Sequence, residues 1–200
     1  MTSMKFLTVV ACTAVLASSA YAQQTQRVKG TVDKVDGNTL YLKGPDGAPI
    51  TLKLIDNALV VGVVKATLAD IKEGDYIGSG ALPQPDGSQK AVEVHIFAES
   101  MRGTGDGHRA NWDGAPNGTM TNGAVGNAVA SVDGRSIMVK YKDGEKKIVV
   151  GPNVPIVKYE IGNKSELKSG SAINVVAATK KPDGTFETGR INVGRDGLVP

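Results

Sequence analysis

The feature that most constrains this chain is a repeat of turn signals. Val35-Asp36-Gly37-Asn38-Thr39-Leu40 returns as Val132-Asp133-Gly134-Arg135-Ser136-Ile137, 97 residues later. Asp46-Gly47 returns as Asp143-Gly144, and Pro85-Asp86-Gly87 as Pro182-Asp183-Gly184, at the same offset. Asp70-Ile71-Lys72-Glu73-Gly74 returns one residue out of step, as Glu166-Leu167-Lys168-Ser169-Gly170. Four matched signals in one order, with apolar runs at the same places between them, indicate a duplicated unit. Two copies are too few for a solenoid, so the reading is two small domains.

Within the first copy, short alternating runs are separated by turn residues. Residues 27–35, 39–43, 50–55, 59–64, 76–82 and 90–97 read as strands, with Val28, Val32 and Val35, and then Ile50, Leu52 and Leu54, on apolar faces. Asp36-Gly37-Asn38 is a hairpin signal. The one helical candidate is 67–74, with Thr67 as cap, Asp70 at N3 and Gly74 as stop. It is too short to be stable alone. Ser165 stands at the corresponding cap in the second copy. Each copy therefore runs strand, strand, strand, short helix, strand, strand, the order of a five-stranded OB-type barrel. A unit of ~75 residues is marginal alone, so the copies are expected to pack on one another. The fold class is all-β: two small five-stranded OB-like barrels, one short helix in each, after a signal peptide.

Residues 1–22 have the pattern of an export signal. Lys5 is followed by the apolar run 6–17 and by Ala20-Tyr21-Ala22, an A-x-A cleavage site. The run is shorter than the ~20 apolar residues that span a bilayer. Cys12 is poorly placed for lipid attachment, because the apolar run continues beyond it. Cleavage after Ala22 removes this only cysteine, so the mature chain carries no disulfide and no thiol chemistry. The expected plan is signal peptide 1–22, barrel copy 1 at 23–100, a Gly-rich connector at 101–123 and barrel copy 2 at 124–200. The expected location is periplasmic or secreted, in a bacterium, with no transmembrane segment in the mature chain.

The pattern V-x-G-x-V-x-x-VDG-x-T-L is carried by Val28, Gly30, Val32, Val35-Asp36-Gly37 and Thr39-Leu40. It is followed by Asp70-Ile71-Lys72-Glu73-Gly74-Asp75 and Pro85-Asp86-Gly87. Together these resemble a family of exported bacterial OB-like domains of unknown function, here in tandem and joined by the Gly-rich connector. The second copy departs from the pattern at Ser169-Gly170-Ser171. The resemblance implies a fold and supplies no catalytic residues. Some tandem members are associated with metal transport, which brings a divalent metal among the expected ligands.

The segment 101–123 holds the only Trp, one of the two His and six of the 25 Gly. Asp106, His108 and Asp113 form a candidate set of metal ligands there, an imidazole and two carboxylates within eight residues. A water-facing connector explains the same residues. Arg102, Arg109 and Trp112 form a candidate binding platform. Trp112 reads equally as a plug that packs the connector on a barrel. Gly103-x-Gly105-x-Gly107 is not the dinucleotide fingerprint, and no helix follows it. His95 is expected to pair with Glu93 on a strand face, opposite Val94 and Ile96.

No G-x-S-x-G elbow is present, and the many turn aspartates are explained by local hydrogen bonding. The chain is therefore not expected to be an enzyme. Losing Lys5 leaves 22 basic against 20 acidic residues, without the concentrated basic surface that phosphate-backbone binding needs. The expected function is non-enzymatic: an exported binding or adaptor protein with a surface at the junction of two barrels. Its partner would be a protein, a cell-wall component or a small molecule rather than a nucleic acid. The alternative is a periplasmic divalent-metal-binding or metal-transport-associated protein using the central Asp/His segment.

Overall fold

A computed structural model describes residues 25–131 and 134–200. The expected export signal with Cys12, and Val132-Asp133 of the second VDG, lie outside the described residues. The chain is all-β. Its strands are β1 (Thr25–Asp36), β2 (Thr39–Lys43), β3 (Pro49–Ala66), β4 (Tyr76–Pro83), β5 (Gln89–Ile96) and β6 (Gly107–Trp112). They continue with β7 (Gly118–Ser131), β8 (Gly134–Tyr141), β9 (Gly144–Val150), β10 (Ile156–Ile161), β11 (Ala172–Lys180) and β12 (Phe186–Gly194). The helical content among the described residues is three single 3-10 turns, at Leu68–Asp70, Glu99–Met101 and Lys164–Glu166. No described helix is long and apolar enough to cross a membrane.

The repeated turn signals form turns for local reasons. Asp46, Asp86 and Asp183 each accept the backbone N–H two residues on, at 3.0, 3.0 and 2.9 Å. The intervening Gly47, Gly87 and Gly184 sit at φ of 83–84°, where a Cβ would be strained. The expected helix at 67–74 is shorter than its signals suggest. The Asp70 carboxylate accepts both the backbone N–H and the hydroxyl of Thr67, at 2.8 and 2.7 Å. The chain is extended again at Ile71, which is buried in a hydrophobic cluster with Ile77 and Val94. In the second copy the cap is Asn163 rather than Ser165. Asn163 accepts the Ser165 N–H at 3.0 Å, so Ser165 lies inside the turn.

β1 pairs with β2, β2 with β3, β3 with β12, β12 with β11, and β11 with β1. These pairings make a closed five-stranded barrel. Its core includes Val32, Leu40, Leu52, Ile173 and Ile191, each almost wholly excluded from solvent. Each such side chain contributes about 1.5–3 kcal/mol of burial. Val35 does not join them: the β1 register shifts between Val32 and Lys34, and Val35 is exposed.

The barrel draws β1–β3 from the first repeat and β11 and β12 from the second. This corrects the expectation that each copy closes on itself. The cause is β3, which the two runs 50–55 and 59–64 form together without a break. Its 18 residues reach ~60 Å when extended, far beyond one small barrel. Its first part pairs with β2 and its last part with β10. The chain is thereby delivered away from its own barrel before β4 and β5 begin. Those two strands pair with each other, β4 with β7, and β5 with β9 through Gln89↔Ile148 and Lys90↔Val149. With β7–β8 and β8–β9 this makes a second circuit around Ile77, Val94, Val139 and Ile148. A third cluster, including Val61, Val63, Phe97, Met101 and Tyr159, fills the space where β3 and β10 join the two groups. The segment 101–123 is structured: β6 pairs with β7 as a hairpin.

Candidate functional site

Strand alternation decides what faces the junction. Ile173 and Val175 point into the first barrel, so Asn174 points out. Ile191 and Val193 point in, so Arg190 and Asn192 point out. Val94 and Ile96 enter the other core, so Glu93 and His95 point out. Glu93-x-His95 and Arg190-x-Asn192 stand 97 residues apart, at the same place in each repeat. Glu93, His95, Asn174, Arg190 and Asn192 all line one cavity of about 630 Å³. That lies within the ~300–1,000 Å³ of small-molecule sites.

Tyr159 of β10 is the hub of this cavity. The His95 ring stacks on it at 5.2 Å and 21°. Phe97 meets it edge-on at 5.3 Å, and the Arg190 guanidinium lies 5.5 Å from its ring centre. Burial pushes the Tyr159 phenol up to about 12. His95 Nε2 lies 2.9 Å from Glu93 Oε1. Burial alone would raise Glu93, but the His95 hydrogen bond and the charges of His95, Arg27 and Lys29 hold it below the usual carboxylate range. Burial lowers the Arg190 pKa, yet a guanidinium stays charged at neutral pH.

The cavity gathers buried polar atoms that have no hydrogen-bond partner among the described residues. Asn122 Oδ1, Asn174 Oδ1, Asn192 Oδ1 and Arg190 Nε are buried without a hydrogen-bond partner. All four residues line this one cavity. A more open groove of about 910 Å³, lined by residues from 165–172 and 193–199, differs. Its Arg195 is matched by Glu160 and Glu166.

The expected metal ligands are held apart. Asp106 accepts the Tyr76 hydroxyl at 3.1 Å and the Lys142 N–H at 2.8 Å. His108 Nδ1 hydrogen-bonds Thr121 Oγ1 at 2.8 Å, and burial and Lys146 lower its pKa. Asp113 accepts two hydrogen bonds from Arg27, both 2.8 Å. Among the described residues, no group of three or more His, Cys, Asp or Glu is placed to hold a metal ion.

The expected platform divides as well. Arg102 is turned to Glu99 and the Gly74 carbonyl, away from the cavity lining. Arg109 donates to the Gly105 carbonyl at 2.7 Å and lines the cavity. Trp112 also lines it, half-buried, with its indole against Gly80, Gly114 and Gly118.

Sequence reading missed Tyr159, Arg190 and the three asparagines. A polar residue between two apolar ones, as in Ile191-Asn192-Val193, looks like an ordinary solvent-facing strand position. The available signal was the repeat itself, which sets Arg190 and Asn192 opposite Glu93 and His95. No protein-family model matches the chain, and no curated protein or solved structure matches it either.

Proposed function

We propose that this is an exported, non-enzymatic binding protein that holds a small-molecule ligand in the cavity between its barrels. In this reading both barrels are OB-type units, each completed by two strands from the other repeat. The observation that carries the proposal is the set of four buried, partnerless polar atoms on one cavity. Scattered through a core they would be defects; converging on one space of ligand size, they offer hydrogen bonds to a small molecule. Export rests on the Ala20-x-Ala22 signal pattern. The metal alternative gains no support from the geometry, since Asp106, His108 and Asp113 are each engaged elsewhere.

The test is thermal unfolding of residues 23–200 against a panel of neutral sugars, sugar acids, amino acids, phosphates and divalent metals. A ligand at 100 times its dissociation constant raises stability by ~2.7 kcal/mol. The expected result is a rise with one ligand class, lost in Asn174→Leu/Asn192→Leu. That variant should itself unfold in one cooperative transition, so that the lost rise reports binding and not the fold. No rise with any member of the panel refutes the proposal.

A further inference from the structure

Building on that cavity, we propose that its ligand is a small hydroxylated carboxylate of the sugar-acid class, with the carboxylate seated on Arg190. The inference follows from what each unmet atom lacks. Arg190 Nε is a donor without an acceptor. Among the described residues Arg190 forms no ion pair, so a half-buried positive charge faces the cavity without a counter-ion. A planar carboxylate fits the guanidinium fork through two parallel hydrogen bonds.

The three asparagine oxygens have the opposite need. Each is an acceptor without a donor, so the ligand must also carry O–H or N–H groups. The charge of the lining decides between them. Arg27, Lys29, Arg109 and Arg190 outnumber Glu93 and Asp113. Glu93 is already matched by His95, and Asp113 by Arg27. An ammonium donor would therefore meet net positive charge, whereas hydroxyl donors meet none of this repulsion. Inorganic phosphate would satisfy Arg190 but carries only one or two O–H donors at neutral pH, too few for three asparagine oxygens.

Isothermal titration calorimetry of residues 23–200 tests this with galacturonate, glucuronate, gluconate and N-acetylneuraminate. Galactose, glucose and inorganic phosphate serve as comparisons. At least one acid should bind tenfold or more tightly than its neutral counterpart and than phosphate. Arg190→Met should weaken that acid by thirtyfold or more while the protein still unfolds in one cooperative transition, so that the loss reports the ligand contact and not the fold. Arg190→Lys, which keeps the charge and loses the fork, should bind between the two. If neutral sugars bind as well as the acids and Arg190→Met changes nothing, the sugar-acid inference fails while the cavity proposal stands. Binding of phosphate alone, or of none of the four acids, also overturns it. Absence of any ligand in the thermal panel removes both.

Discussion

Gly80→Ala tests how the β6–β7 hairpin is seated over the cavity. Gly80 is buried in β4, between β5 and β7, with no positive φ to demand glycine. A Cβ placed there would lie 2.5 Å from the Trp112 indole, and the three nearest atoms all belong to that ring. Ordinarily, alanine in place of a mid-strand glycine stabilises by roughly 0.5–1 kcal/mol. Here the rigid indole must move, and overpacking of this kind costs about 1–3 kcal/mol. The net loss is about 1–2 kcal/mol, a fall in melting temperature of roughly 2–8 °C at this chain length.

Trp112 is the only tryptophan, so its emission reports the displacement directly, with a shift to the red as the ring meets water. In a Trp112→Ala background the clash is absent, and Gly80→Ala should raise the melting temperature by roughly 1–4 °C. The sign of the substitution thus reverses with the state of residue 112. A double-mutant cycle with melting curves and fluorescence would show a coupling of at least about 1 kcal/mol. Equal effects of Gly80→Ala in both backgrounds, with unchanged emission, would refute the placement of Trp112.

Further outcomes follow from the same geometry. Tyr76 and Tyr159 both have phenols raised to about 12 from an ordinary 10. Their neutral form is favoured by folding, so the stability they contribute is full below pH 10 and is lost as pH rises toward 12. Phenolate absorbance of residues 23–200 should show two late-titrating tyrosines, and all four tyrosines of that span ionising together near pH 10 would contradict this. Glu93 has the opposite sign. Its depressed pKa stabilises the fold above its ordinary value of 4.5 and ceases to as pH falls through the folded value. Melting temperatures of wild type and Glu93→Gln, separate at pH 7, should converge on acidification; a gap that widens in acid would count against the His95–Glu93 pair. The strand exchange predicts that residues 23–100 and 101–200 are each without a cooperative transition alone and regain one when mixed. A sharp monomeric unfolding transition in either half would show that its strands close without the other repeat.

What the sequence alone determined is local or periodic. An aspartate two residues from its acceptor N–H, with glycine at positive φ between, makes a turn wherever it occurs. The three Pro-Asp-Gly and Asp-Gly turns were therefore legible before any tertiary contact was known. Alternation likewise assigned Val28, Val32, Leu52 and Leu54 to a core, and it put Glu93 and His95 on one face. It overreached at Val35, where a bulge resets the register, and at Ser165, where Asn163 is the better placed cap.

Which strands close which barrel was not legible, and the physical reason is the duplication itself. Two repeats with the same alternation offer β1–β3 two equivalent sets of closing strands, and periodicity is satisfied by either. Only the length and direction of β3, pairing at one end with β2 and at the other with β10, decides for exchange. The cavity follows from that decision. Arg190, Asn192, Tyr159 and His95 meet because β12 and β5, from opposite repeats, flank β3 and β10. In sequence they are ordinary polar residues of strand faces; the junction is what turns Arg190 Nε and Asn192 Oδ1 toward a space open to a ligand.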